Sequence, residues 1–238
     1  MIILAFDSTA KAASVAVLEN ERLLGLYNID NGLTQSELLL PMAENLLKSL
    51  KLSFSDIGLL AAATGPGSFT GVRIGTSLVK GLAFGKNLPC VSVSTLEALA
   101  ENIGTLNGIL VPCMDARRNQ VYTAIFKSDG KGVERITDDT ALSFDALAKE
   151  LEKYSEFDIY LSGDGYAVAK RELEKLGIHT METPPLLITE NAYSIAKIAF
   201  KRYNAGEYTT DEQFNPTYLR LPQAERERLE KAGADKKE

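Results

Sequence analysis

The chain of 238 residues contains one histidine, two cysteines, no excess of positive charge and no long apolar run. Each scarcity removes a class of chemistry. His179 alone cannot supply a two-histidine metal site, and none of the zinc-ligand spacings is present. In its polar, turn-like stretch it reads as a solvated loop residue. Cys90 and Cys113 each lie in or beside an apolar run, so they read as buried free thiols, with a single disulfide left open. No segment approaches the roughly 18 apolar residues of a membrane span, so no membrane contact is expected. With 26 Lys and Arg against 32 Asp and Glu, the net charge of −6 argues against broad electrostatic binding to nucleic acid. A role in a nucleic-acid pathway through a partner stays open. The opening MIILAFDSTA lacks the basic start and long apolar stretch of a secretion signal and reads as a first strand, so a cytoplasmic protein is expected.

What is present is a pattern given twice. Apolar runs and alternation predict strands over Ile2–Phe6, Ala13–Leu18 and Leu23–Ile29, then a helix from Gln35 to Leu50 that opens on the capping-box sequence TQSE. Pro41 inside it predicts a kink or a late start. A strand over Leu59–Ala63, a helix over Thr70–Phe84, a strand over Cys90–Val93 and a helix over Thr95–Asn102 follow. The order then restarts about a hundred residues later, as in an internal duplication. ILVPCMDARRNQVYTAIF repeats the strand, Asp-bearing turn and strand of ILAFDSTAKAASVAVL, with Asp115 where Asp7 stood. A strand at Val133–Ile136, a helix at Phe144–Leu151, a strand at Asp158–Leu161 ending in SGDG, and helices at Tyr166–Lys175 and Ala192–Tyr203 complete it. The repeat is imperfect, because the strand after GDG is weak. A hairpin meander followed by strand–helix units predicts an α/β chain of two mixed sheets flanked by helices. This is the actin-like (ASKHA, duplicated ribonuclease-H-like) architecture, with subdomains over 1–104 and 105–221, a charged tail over 222–238 and a cleft between the halves.

The glycine loop GPGSFTGVRIG, Gly65 to Gly75, matches neither phosphate-loop pattern. Val72 and Arg73 follow Gly71 where a P-loop needs lysine, and three residues separate Gly67 from Gly71 where a dinucleotide loop has two. What remains is a helix start capped by Ser68 or Thr70, with Arg73 in the first turn opposing the helix dipole. Arg73 therefore calls for a partner, either a protein carboxylate or a phosphate. On the helix, Gly71, Ile74, Gly75, Leu78 and Leu82 share one side, and its polar strip spans only roughly 100°. Two glycines one turn apart predict very close approach of another backbone. The preceding helix carries Leu38, Leu39, Leu40, Met42, Ala43, Leu46, Leu47 and Leu50 over an arc of roughly 200°, more than a sheet can cover. The excess in both helices predicts a second burial against a partner, in preference to full burial within the chain's own domain.

ILAFDSTAKAASVAVL, TQSELLLPM, GPGSFTGVRIG, VSVSTLEALA, DARRNQVY and the late NPTYLR together resemble the TsaB (YeaZ) family, bacterial proteins required for making threonylcarbamoyladenosine in tRNA. The resemblance runs to Arg220, and GPGSFTGVRIG is its most specific part. It implies an actin-like fold, self-association as a homodimer, pairing with the transferase TsaD and cooperation with the ATPase TsaE. In that setting tRNA is met only through the complex, and the modified adenosine lies next to the anticodon in tRNAs reading codons that begin with adenine. Contacts in the family run largely through the first subdomain's two main helices. The candidate interface residues are thus Leu38, Leu39, Met42, Leu46, Gly71, Arg73, Ile74, Gly75, Leu78 and Leu82. TsaD, a relative, carries two metal-binding histidines one helical turn apart. Thr95 and Leu99 fall at those places here, and a hydroxyl and a leucine cannot replace two imidazoles. The resemblance therefore implies a noncatalytic scaffold that requires no cofactor and holds no metal. ATP or ADP would enter the cleft only in the assembled complex, at Asp7, Ser8, Thr9, Asp115, Gly163 and Gly165.

Two other readings compete. An actin-like ATPase or small-molecule kinase would use the turns at Asp7 and Asp115 with SGDG, although DSTA lacks the glycine usual after such an Asp and no general base is evident. A metalloprotease is opposed by the single histidine.

Overall fold

The computed structural model describes residues 1–220; the expected tail, 222–238, lies outside them. The chain opens with the meander β1 (Ile2–Asp7), β2 (Ala13–Glu19) and β3 (Arg22–Ile29). Next come α1 (Gln35–Ser49), β4 (Ile57–Ala63), α2 (Phe69–Ala83), β5 (Cys90–Val93) and α3 (Thr95–Asn102). The second half holds β6 (Asn107–Asp115), β7 (Gln120–Thr123), β8 (Phe126–Asp129), β9 (Val133–Arg135), β10 (Thr140–Ser143), α4 (Phe144–Leu151), β11 (Ile159–Ser162), α5 (Tyr166–Lys175), α6 (Pro185–Ile188) and α7 (Ala192–Asn204).

The first sheet has the order β3-β2-β1-β4-β5, antiparallel through the meander and parallel where a helix intervenes. The second repeats it with interruptions. β6 pairs with β8 at Asn107–Leu110 and with β7 at Cys113–Asp115 in one register, so β7 and β8 are one strand broken at Ala124 and Ile125. β10 and β9 line its outer side, and β11 runs parallel on the far side of β6. The counterpart of β5 shrinks to a single bridge between Tyr160 and Met181, which is the weak strand of the sequence pattern. The expected third strand at Val133–Ile136 is only the first part of an outer strand that resumes at Thr140–Ser143. The break forms where Ile125 donates to the Thr137 hydroxyl and accepts from Ile136 and Thr137; these local bonds replace the ladder over a polar stretch that hid β10. The short α6 was also not legible. α1 runs through Pro41 without interruption, with Pro41 on its solvent face.

β1 and β4 are apolar on both faces because both are covered. On one face Leu39, Met42, Ala43, Leu46 and Leu47 of α1 and Val79 and Ala83 of α2 pack against Leu4, Phe6, Val15, Val17 and Leu60. On the other, Ala192, Ile195, Ala196 and Ala199 of α7 meet Ile3, Ala5, Ala16, Leu59 and Ala61. α4 and α5 cover one face of the second sheet. Its other face is covered by Leu96, Leu99, Ala100 and Ile103, from α3 and the residue after it. The last helix of each half thus covers the sheet of the other. Arg202 of α7 bonds the Ser92 carbonyl and the Glu97 carboxylate, and Lys197 reaches Glu101, which ties the crossed helices together. Cys90 and Cys113 are buried free thiols, and burial pushes them up to about 11 and about 12. His179 is exposed.

Candidate functional site

The two Asp-bearing turns and the two glycine loops meet between the halves. Thr9 donates its N–H (2.9 Å) and its hydroxyl (2.7 Å) to Asp7 Oδ1, folding the first turn back on itself. The Ser8 hydroxyl donates to the Gly71 carbonyl at 2.8 Å. A Cβ on Gly71 would stand 1.8 Å from the Ser8 carbonyl oxygen, and one on Gly75 2.5 Å from Ser8 Oγ. What the two glycines bring close is therefore the chain's own Ser8, its backbone at Gly71 and its side chain at Gly75. The second half repeats the device: Cβ atoms on Gly163 and Gly165 would stand 2.5 and 2.8 Å from the Cys113 carbonyl oxygen, just ahead of Asp115. In both halves glycine seats a helix start on the backbone beside an Asp turn.

The loop before α2 spends its polar groups on its own chain. Ser68 donates its N–H to the Thr9 carbonyl, its side chain caps α2 by accepting from the Gly71 N–H, and the Gly65 carbonyl accepts from Thr95. The Thr64 carbonyl accepts from Thr217 at 2.7 Å, so the segment from Thr217 to Arg220 crosses the mouth of the cleft. Its Tyr218 ring stacks on Phe69 with centroids 4.7 Å apart. Arg73 donates Nε to the Tyr218 hydroxyl at 2.9 Å, and its guanidinium lies 3.9 Å from the Phe69 ring centre. Among the described residues the partner of Arg73 is thus an uncharged hydroxyl and an aromatic face, not the carboxylate or phosphate expected from its place at a helix start. Arg220 continues to the Ala116 carbonyl and the Gln120 side chain, clamping the second turn.

Beneath this segment is a cleft of about 510 Å³, lined among others by Lys11, Gly67, Ser68, Thr70, Asp115, Arg117, Tyr122, Asp164 and Arg220. Of the expected nucleotide-site residues, only Asp115 lines it. Asp7, Ser8 and Thr9 are buried below, and Gly163 and Gly165 are packed on β6. Asp7 keeps Oδ2 without a hydrogen-bond partner among the described residues, and burial pushes its carboxyl up to about 6. Glu190, which the sequence reading missed, is buried at the entrance to α7, where Oε1 accepts from the Asp164 N–H at 3.1 Å. Burial first, then the charges of Asp7 and Asp164, push it up to about 8, which favours its protonated form. Its one sequence signal is an acid set at the start of an apolar helix. Among the described residues no three His, Cys, Asp or Glu side chains converge so as to hold a metal ion. Thr95 and Leu99 are fully packed, Leu99 against the Gly163 position.

Next to the cleft, a groove of about 510 Å³ separates α1 from α2, lined by Leu39, Leu40, Phe69, Arg73, Ile74 and Leu78 among others. The ten candidate interface residues divide by burial. Leu39, Met42, Leu46, Gly71 and Gly75 are buried by the chain itself, although Leu39 still lines the groove. The wide apolar arc of α1 goes largely to its own sheet and to β3, where Leu46 packs over Gly25. Leu38, Ile74, Leu78 and Leu82 are half-buried and Arg73 is exposed. Leu40, outside that set, is 38% exposed and lines the groove.

The chain was compared with known proteins. Residues 34–228 match the family described as TsaD: tRNA N6-adenosine threonylcarbamoyltransferase. The chain is 31% identical over 225 residues to the tRNA threonylcarbamoyladenosine biosynthesis protein TsaB of Escherichia coli (strain K12), covering 92% of this chain and 95% of that one. It is 34% identical over 158 residues to the protein of the same description from Bacillus subtilis (strain 168), covering 66% and 68%. A crystal structure of an uncharacterized Pseudomonas aeruginosa protein with similarity to peptidase YEAZ superposes with a TM-score of 0.75 at 26% identity, over 92% of this chain and 99% of that one.

Proposed function

The chain belongs to the TsaB family, and from that premise we propose that it is a noncatalytic scaffold of the apparatus that places threonylcarbamoyl on a tRNA adenosine. Its part in tRNA threonylcarbamoyladenosine biosynthesis is what its relatives' names describe. The scaffold role is our reading: the chain binds and activates a TsaD transferase, cooperates with a TsaE ATPase, pairs with itself when alone, and meets tRNA through the complex in the cytoplasm. No helix among the described residues is long and apolar enough to cross a membrane.

The observation that carries this reading is the groove between α1 and α2. Leu40, Ile74 and Leu78 leave apolar surface open there beside Arg73 and Phe69, on two helices held rigid by the first sheet. Apolar area with an arginine and an aromatic ring is the composition of an interface hot spot. Packed Thr95 and Leu99 support the absence of catalysis, since they offer no imidazole where a transferase relative has histidines. The role calls for no cofactor in the isolated chain, and ATP or ADP would enter the cleft only in the assembly.

The test is calorimetry and gel filtration of the chain with the TsaD of its own organism. Leu40→Asp puts a charge in the groove at a solvated position. It should cost about 1 kcal/mol or less of stability through helix propensity and partial burial, and weaken TsaD binding at least tenfold, which is about 1.4 kcal/mol. Absence of binding by the unmodified chain refutes the proposal; an unaffected variant refutes the groove. An actin-like ATPase is favoured only by the cleft with Asp115 and Asp164 in its wall. ATP turnover by the isolated chain that is lost in Asp115→Asn would replace the scaffold reading.

A further inference from the structure

Among the described residues, Arg22, Arg135, Arg171 and Arg202 each lie against a carboxylate. Arg73, Arg117, Arg118 and Arg220 do not, and all four gather at one place. Arg117 and Arg220 line the cleft, Arg118 is next in the same turn, and Arg73 is bonded to Tyr218 in the cleft wall. Lys11, on the first turn, faces them across the opening and enters no ion pair among the described residues. In a chain with a net charge of −6, this is a local concentration of positive charge that Asp115 and Asp164 in the same wall offset only in part.

The turn that carries it is held in an unusual form. Arg117, Arg118 and Asn119 have φ of 59°, 53° and 59°, left-handed backbone at three successive residues with bulky side chains. Asp115 Oδ1 accepts from the Arg117 N–H at 2.7 Å, and Arg220 clamps the turn from outside. The two side chains at its tip, Arg117 and Arg118, remain exposed.

We infer that this rim binds the phosphodiester backbone of the tRNA while the chain is held in its complex. The inference rests on the proposed function and adds a direct contact to it. The exposure of Arg117 and Arg118 at the tip of the turn selects the ligand. Lys11, Arg117 and Arg220 line the cleft together with Asp115 and Asp164, while Asp7 and Glu190 are buried and do not line it. A free nucleotide enclosed in the cleft brings its phosphates beside the Asp115 and Asp164 carboxylates. A strand crossing the mouth meets the exposed side chains of Arg117 and Arg118, and it can lay an unpaired base on the exposed Tyr218 ring. The docking groove shares Phe69 and Thr70 with the cleft, so an RNA held by the partner passes beside the rim. The overall negative charge makes the contact weak for the isolated chain and effective only when the partner supplies the remaining affinity.

The test is fluorescence anisotropy of labelled tRNA with the reconstituted complex at several salt concentrations, comparing the unmodified chain with Arg117→Gln/Arg118→Gln. Neutralising two phosphate contacts should weaken tRNA binding about tenfold at low salt. It should also make the plot of log affinity against log salt shallower by about one and a half. Arg171→Gln, whose arginine is paired on a distant helix, should change neither, and binding of the transferase subunit should be unaltered in both. The same titration of the isolated chain at low salt should show weak binding that the double variant loses. Unchanged tRNA affinity and slope in both formats overturn the inference. So does a double variant that loses ADP binding while keeping tRNA binding, which would make the site one for a free nucleotide. Failure of the unmodified chain to join the complex refutes the proposed function, and the isolated-chain titration still decides the inference.

Discussion

Gly71 offers the sharpest test of how the first half is assembled. In Gly71→Ala the new methyl would lie 1.8 Å from the Ser8 carbonyl oxygen, against the 3.4 Å or more of an ordinary contact. The obstacle is backbone, so it cannot rotate away. Either α2 must withdraw or the Ser8 turn must shift, and Ser8 also bonds the Gly71 carbonyl. Overpacking of this kind costs about 1–3 kcal/mol, and displacement of two packed elements puts it at the upper end, near ~3 kcal/mol. The helix propensity of alanine returns up to about 1 kcal/mol. The net loss is about 2 kcal/mol, which lowers the melting temperature by roughly 4–8 °C for a chain of this size. Gly81, in the same helix, is the internal control. Nothing lies within 4 Å of a Cβ there, so Gly81→Ala gains propensity alone and should raise stability by about 0.5–1 kcal/mol. Thermal and urea unfolding monitored by circular dichroism read both variants. Equal stability of the two would refute the close packing of α2 on the Asp7 turn. Gly75→Leu should likewise destabilise the fold itself, because its side chain would enter the space of Ser8 Oγ.

Three further outcomes are expected. Burial raises Asp7 from 3.8 to about 6 and Glu190 from 4.5 to about 8, so the folded chain holds these protons more tightly than the unfolded one. Their stabilising effect is complete below about pH 4 and is lost as pH rises through about 8; urea midpoints should show this decline, and Glu190→Gln, which keeps a donor at every pH, should flatten it. Cys113, buried and pushed up to about 12, should resist thiol reagents in the native state and react only on unfolding; fast labelling without denaturant would contradict its placement. Arg73→Ala removes one exposed hydrogen bond to Tyr218 and a cation–π contact, a loss of about 1 kcal/mol or less in unfolding experiments; a loss of several kcal/mol would show that the segment over the cleft is a structural keystone.

The candidate site was legible only in part. The Asp7 and Asp115 turns were visible because an acid closing an apolar run marks a strand end twice at the same spacing. Lys11, Tyr218 and Arg220 lie in motifs that carry the resemblance but were not singled out for the site, because nothing local distinguishes a surface residue that the fold will bring to a cleft. Glu190 carried a faint signal, but its raised pKa comes first from burial and then from the charge of Asp7, far away in the sequence.

The sequence by itself determined the elements and their repetition. Local propensity and apolar period place α2, α3, α4 and α5 to within a residue, Ser68 caps α2, and the second meander follows the first because its apolar run is again interrupted at an aspartate. Only the tertiary structure decided what each apolar face meets. Periodicity records that a face is buried, not against what. The glycines of α2, read as a surface for a partner, close on Ser8, and Leu39, Met42 and Leu46 of α1 turn into the first sheet. The exchange of α3 and α7 between the two sheets likewise left no local mark. A helix's amphipathic pattern is the same whichever sheet it covers, and the choice is made by chain connectivity and by contacts more than a hundred residues apart, such as Arg202 with Glu97.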